Sequence, residues 1–186
     1  LSAAPEPIRI NCEYHFVDVV LSPDPNVFDH TNALHGLKKG GSLIIQSSLE
    51  TPEEVWQHFP NHVQRQIVDN DIRLFYVDGF KIAREEASNA DLQFRMQGIA
   101  FQGAFFAASP LMEKAGLDET KLFRAIEDQL ESKFGSKGRR VVEDNLRVVR
   151  RGFDQVREVT EKQVQATGTQ MVRRAPSLPI MLKQQP

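Results

Sequence analysis

Cysteine is all but absent from the 186 residues: Cys12 stands alone. One thiol excludes an internal disulfide, and it falls short of the four thiolates that an iron–sulfur cluster normally takes from protein. Long apolar runs are lacking as well. No stretch approaches the roughly 18 consecutive apolar residues needed to span a bilayer, and no basic segment followed by an apolar one marks the N-terminus as a signal. Neither charge sign dominates, because 23 Lys and Arg face 25 Asp and Glu. Without a block of one sign, the chain is expected to track neither nucleic acid nor an anionic membrane, and a cytoplasmic setting is the simplest expectation.

Other absences narrow the chemistry. Among the five histidines, His15, His30, His35, His58 and His62, only the last two share helical spacing. No third donor follows at a metal-site interval, so no metal is expected. Ser47 and Ser48 have no histidine in a nucleophile-elbow context, which argues against a hydrolase triad. Gly135-Ser136-Lys137-Gly138 has the glycines and lysine of a phosphate loop but follows a helical pattern and lacks the full spacing; it reads as a helix-to-helix turn. The dinucleotide fingerprint of glycines is missing too, which disfavours a self-contained dehydrogenase.

What is present is an alternation of strand and helix patterns. Phe16 to Leu21 is β-branched and apolar and breaks at Ser22-Pro23-Asp24-Pro25, after which Asn26 to Leu37 is read as a helix. Lys38-Lys39-Gly40-Gly41 is a turn signal, and Ser42 to Ser48 a second strand with polar residues at its end. Thr51-Pro52-Glu53-Glu54 combines a cap hydroxyl, a proline in the first turn and a returning glutamate, so a helix starts near Pro52. Ile72 to Asp78 is a third strand, and Phe80 to Ala87 begins a further helix. Strands separated by helices imply parallel pairing.

Beyond Gly98, small residues mix with phenylalanine through Ala108, the composition of a closely packed buried helix. Asp118 caps a helix whose Leu122, Ile126, Leu130 and Phe134 form one stripe, and Val142, Leu146, Val149, Phe153 and Val156 repeat on a long amphipathic helix. After about Lys162 the periodicity dissolves into a proline-containing stretch. The expected class is α/β: a Rossmann-like, three-layer domain with a mostly parallel sheet and a long C-terminal amphipathic helix over residues 1–162, with 163–186 a linker or strap. Ile8-Arg9-Ile10 is read as a short strand, and the first βα unit of a doubly wound fold is not seen, so the domain is expected to be incomplete at its N-terminus.

Ligands of open α/β sheets sit beyond the carboxyl ends of the strands, which selects Ser22 and Asp24, Gln46 and Ser47, and Asp78. Lys81, following the third strand, joins them as a cation able to face an anionic ligand at a helix start. Serine and aspartate at strand ends also cap and turn the chain, so a purely structural role competes at each position.

Three blocks in order, Gly36-Leu37-Lys38-Lys39-Gly40-Gly41-Ser42-Leu43-Ile44, Val77-Asp78-Gly79-Phe80-Lys81-Ile82-Ala83 and Lys137-Gly138-Arg139-Arg140-Val141-Val142-Glu143-Asp144-Asn145, resemble the gamma domain of pyruvate and related 2-oxoacid:ferredoxin oxidoreductases. Met96-Gln97-Gly98 and Gly103-Ala104-Phe105-Phe106 extend the likeness to roughly residues 14 to 160. Gln46 departs from the family's usual asparagine, and Glu86-Ala87-Ser88-Asn89-Ala90 replaces a more glycine-rich turn. The resemblance implies a part of an enzyme that decarboxylates a 2-oxoacid on thiamine diphosphate with Mg, passes electrons through iron–sulfur clusters to ferredoxin, and delivers the acyl group to coenzyme A. It also implies that these cofactors reside in partner domains or subunits, that this chain has a scaffold and coenzyme A-side role, and that the assembly is two-fold. The competing expectation is a non-catalytic module that binds a nucleotide or coenzyme A.

Overall fold

A computed structural model of the chain describes residues 16–87 and 90–164. Among them a four-stranded sheet runs in the order β1 (Val17–Ser22), β2 (Leu37–Gln46), β3 (Arg73–Val77), β4 (Arg157–Val159). The first three strands are parallel and β4 is antiparallel to β3. The helices are α1 (Pro52–His58), α2 (Asn61–Asp69), α3 (Gly79–Glu86), α4 (Ala90–Ala108), α5 (Leu111–Ala115), α6 (Glu119–Phe134) and α7 (Arg139–Gln155). Ile8-Arg9-Ile10, Cys12, His15 and residues 165–186 of the expected strap lie outside the described residues.

The period of two along β2 and β3 divides the core. Leu43, Ile45, Leu74 and Tyr76 face Val55 and Trp56 of α1 and Val63 and Ile67 of α2, while Ile44, Phe75 and Val77 face Ile82 of α3, Ala100, Phe101 and Ala104 of α4, and Val148 of α7. Both faces are thereby covered, as a parallel sheet requires. Outside this sandwich, Leu122, Phe123, Ile126 and Leu130 of α6 pack on Val142 and Val149 of α7. Among the described residues no helix is long and apolar enough to cross a membrane.

The caps form as the sequence expects. Thr51 Oγ1 accepts from Glu54 N at 3.2 Å while the Glu54 carboxylate accepts from Thr51 N at 3.1 Å, and Asp118 accepts from Lys121 N at 2.8 Å. The small residues of α4 serve its crossing with α7. A Cβ on Gly103 would come within 2.0 Å of Val149 O, and one on Gly152 within 1.9 Å of Ala100 O. The two backbones touch where only glycine fits.

Three expectations are corrected. Asn26 to Leu37 is not a helix but a 3-10 turn, Val27–Asp29, followed by turns. Short polar side chains capture the backbone there: Asp24 Oδ1 accepts from Asn26 N at 2.9 Å, and Asn32 Oδ1 accepts from Leu34 N at 3.1 Å, offering an alternative to helical bonding. Lys38 to Gly41 is no turn between elements either. It lies within β2, where the register moves from Val17↔Leu37 to Val19↔Ser42. This irregularity uses Gly40 at φ +74°, a conformation that glycine adopts without penalty. Lastly, the apolar repeat continues to Val156, but the helix ends at Gln155 and the chain returns as β4. Three residues are too short for a strand period to declare itself, and Arg73 fixes the strand with paired bonds to Glu158, each 3.0 Å.

Candidate functional site

The carboxyl ends of β1, β2 and β3 open on one crevice. Its centre is Gln46, the last residue of β2 and only 3% exposed. The carboxamide Nε2 donates to Asp78 Oδ1 at 2.9 Å, and its Oε1 accepts from Gly79 N at 3.0 Å. Asp78 Oδ1 also accepts from Lys81 N at 3.0 Å, capping α3. One side chain thus joins the end of a strand to the start of a helix, and both ends of its amide are committed. Ser47 continues the link: its N–H donates to Val77 O at 3.2 Å, and its hydroxyl accepts from Leu49 N at 3.2 Å.

Two cavities flank Gln46. One, of about 380 Å³, is lined by Pro25, Ser48, Asp78, Phe80, Arg84 and Gln93 together with Gln46. The other, of about 160 Å³, lies among Ser47, Ser48, Leu49, His58 and Phe59 and shares Pro25, Gln46 and Ser48 with the first. Arg84 brings a cation to the larger cavity opposite the polar strand ends, and Phe80, 37% exposed, offers an aromatic surface one helical turn earlier. This combination suits a ligand with an anionic group and a flat or apolar part.

The six residues selected from sequence divide by role. Gln46, Ser47 and Asp78 line the cavities. Ser22 and Asp24 hold the loop that forms one wall: Ser22 Oγ donates to Asp24 O at 3.0 Å, and the Asp24 carboxylate meets His30 Nε2 at 3.0 Å. Lys81 meets Asp78 through its backbone N–H at the α3 cap, and the cation that lines the larger cavity is Arg84. Positions 80 and 84 share a helix face, whereas position 81 is turned by about 100°. That i,i+4 pairing of Phe80 with Arg84 is the signal the sequence offered; Pro25 and Gln93 had none. Among the described residues no group of three or more His, Cys, Asp or Glu is placed to hold a metal ion.

A second concentration of charge lies at the far end of α3. Arg147 meets Glu86 at 3.0 Å and also pairs with Asp144, while Arg151 meets Glu86 at 2.9 Å and Glu85 at 2.6 Å. Burial alone would push the Glu86 carboxyl up. The hydrogen bonds and charges of Arg147 and Arg151 outweigh it and hold Glu86 below its ordinary value. Arg150 pairs with Glu119 and lies 3.5 Å over the Phe123 ring. These guanidiniums are spent on carboxylates of the chain itself, so the cluster reads as a clasp between α3, α6 and α7.

With this geometry in place, comparison with known proteins becomes specific. The model of the family described as pyruvate ferredoxin/flavodoxin oxidoreductase matches residues 1–155. Similar relatives include the pyruvate-flavodoxin oxidoreductase of Rhodospirillum rubrum, 26% identical over 160 residues, which cover 86% of this chain and 12% of that protein. The pyruvate:ferredoxin oxidoreductase of Moorella thermoacetica is 24% identical over 142 residues, 76% of this chain and 11% of that protein. This chain spans about a tenth of the length of the curated relatives it matches. A similar solved structure is pyruvate oxidoreductase subunit PORC of Thermotoga maritima, with a TM-score of 0.50 and 22% identity over 77% of this chain and 66% of that one. It shares the fold. A family match running nearly the whole length of the chain, on a sheet whose polar strand ends form one crevice, leads to the conclusion that this chain belongs to the pyruvate ferredoxin/flavodoxin oxidoreductase family.

Proposed function

We propose that this chain is the gamma-type domain or subunit of an enzyme that oxidatively decarboxylates pyruvate or a related 2-oxoacid to an acyl-coenzyme A. The observation that carries the reading is the family match over residues 1–155. With Cys12 as its single cysteine, the sequence falls short of the four thiolates that an iron–sulfur cluster normally takes from protein. The family resemblance implies that clusters, thiamine diphosphate and Mg belong to partner domains or subunits, through which electrons reach ferredoxin or an equivalent acceptor. A two-fold assembly of those parts accompanies the reading. When bound, thiamine diphosphate supplies the carbanion stabilisation that decarboxylation needs.

This chain contributes binding and orientation. Coenzyme A presents phosphates and a purine, and the larger strand-end cavity presents the Arg84 guanidinium and the Phe80 ring. Gln46 and Asp78 hold the wall that sets their distance from the sheet, and Ser47 with Ser48 keeps polar atoms at the mouth. Lys81, exposed on α3, adds to the local positive field.

The test is the complex purified through this chain. Iron, thiamine diphosphate and 2-oxoacid-dependent reduction of a viologen dye are expected together. Arg84→Ala should raise KM for coenzyme A about tenfold, the order of one charge-assisted contact, and leave KM for the 2-oxoacid unchanged. A cofactor-free chain that still binds coenzyme A would replace this reading with that of a binding module; a complex without 2-oxoacid oxidation would refute it.

A further inference from the structure

Away from the strand-end crevice, a groove of about 580 Å³ runs between α6 and α7 and opens beside the end of α3. Four guanidiniums line it, those of Arg124, Arg147, Arg150 and Arg151, against the two carboxylates of Glu86 and Glu127. Glu127 also leans toward Arg139, at 3.9 Å. Phe123 and Leu146 supply the apolar part of the lining. α6 stands outside the sheet layers, its buried side chains packing on α7 and on Phe106 and Met112, so the groove lies on an outer surface of the domain.

The clasp with α3 accounts for the carboxylates but not for all of the donors, because each guanidinium carries five N–H groups. Arg147 commits Nε to Glu86 and Nη2 to Asp144, and Arg151 commits Nη1 to Glu86 and Nη2 to Glu85. Arg150 reaches Glu119, and more distantly Asp154 at 4.0 Å, through Nη1 alone. Its Nε and Nη2 are left over among the described residues, and its planar group is already held over the Phe123 ring. Arg124 is exposed and pairs with no carboxylate among the described residues. Remaining donors of this forked, planar kind match the two oxygens of a carboxylate. A compact polyphosphate is a poorer match: Glu86 and Glu127 in the same lining would repel it, and Phe123 and Leu146 would gain nothing from it. A protein segment with acidic and apolar side chains side by side satisfies both parts of the lining. Arginine beside an aromatic ring is also the composition enriched where proteins meet.

We propose that the α6–α7 groove docks an acidic segment of a neighbouring domain or subunit of the same enzyme, its carboxylates on Arg124 and Arg150 and an apolar side chain on Phe123 and Leu146. The inference rests on the reading of this chain as one part of a larger oxidoreductase. The clasp gives the docking a path into the domain: Arg147 and Arg151, which line the groove, hold Glu86 at the end of α3, and the start of the same helix forms a wall of the crevice.

Carbodiimide coupling of the native complex carrying Arg124→Lys provides the test, since the reagent joins an amine to a carboxylate in contact with it and adds no spacer. Mass spectrometry should find the peptide that holds position 124 joined to an aspartate or glutamate of another domain or subunit, a product that the unaltered arginine cannot give. Its yield should fall at least about threefold between about 0.05 and 0.5 M salt, as screening weakens exposed charge pairs. Lys121 and Asp118, 3.1 Å apart at the start of α6, couple in every sample and show that the reagent acted. Coupling of position 124 to nothing, or only to carboxylates of these 186 residues, would overturn the proposal, as would a cross-link to a partner that ignores salt. Tripolyphosphate that binds below millimolar concentration, loses its affinity in Arg124→Ala and leaves the partner in place would make the groove a phosphate site instead. A complex that oxidises its 2-oxoacid but gives no cross-link sinks this inference alone; the cross-link in a complex that oxidises none sinks the proposed activity and leaves the docking surface standing.

Discussion

At the scale of single residues, Gln46 shows how chemistry constrains the crevice. Its amide must donate at one end to the Asp78 carboxylate and accept at the other from Gly79 N–H. No other side chain of its size does both. Gln46→Glu keeps the shape but replaces the donor with a second carboxylate beside Asp78. We expect a loss of about 2 kcal/mol in unfolding free energy at neutral pH, the order for a buried polar group deprived of its partner. The introduced acid, buried beside a like charge, would have its folded pKa raised. The destabilisation is therefore present above that raised value and relieved as pH falls and the acid takes a proton that it can donate to Asp78. Denaturant unfolding across pH checks this; a loss that does not ease on acidification would contradict the account.

At the scale of elements, the crossing of α4 and α7 rests on contact between backbones at Gly103 and Gly152. Alanine at either position would gain helix propensity of nearly 1 kcal/mol but would drive a methyl into a carbonyl oxygen of the other helix. Gly103→Ala and Gly152→Ala are each expected to lower stability by about 2 kcal/mol net, read from urea midpoints; a neutral result would mean that the helices separate readily. The small residues of α4 announced close packing, but its partner was hidden, because residues 103 and 152 are brought together only by the finished fold. Legibility followed the same division elsewhere. The caps at Thr51 and Asp118 and the apolar strand cores were readable, since each is decided within a few residues. The β2 irregularity at Gly40 looked like a turn because a positive φ serves both. β4 could not be seen, since its pairing with β3 is a long-range event. Strand-end position was enough to place Gln46, Ser47 and Asp78 beside the cavities, whereas seeing that Arg84 lines the larger one needed the helix face that the actual start of α3 determines.

At the scale of the whole molecule, segments far apart in sequence are joined by charge as well as by apolar packing. Glu86 at the end of α3 ties to Arg147 and Arg151 of α7, and Arg73 of β3 ties to Glu158 of β4. The first clasp ties α3 to α7, which packs on α4 and then leads into β4, and the second ties β4 to its neighbour β3, so together they hold the frame on which the α3 wall of the crevice is mounted. For Glu158, the hydrogen bond from Arg73 outweighs burial and holds its carboxyl below the ordinary value of 4.5; Glu86 is likewise held below 4.5, the arginine contacts overcoming its burial. A depressed folded pKa contributes stability that is present above the unfolded value and lost as pH falls through the folded one. The melting temperature should therefore decline as pH drops from about 4.5. Glu86→Gln with Glu158→Gln should cost roughly 1 kcal/mol at neutral pH, about 2 to 4 °C for a chain of this size, and should flatten the acid limb of the profile. Calorimetry of the unaltered and doubly substituted proteins between neutral and acid pH separates this from general acid lability. If both lose stability in parallel, other carboxylates govern the decline and the clasps serve to orient the helices without setting their acid limit.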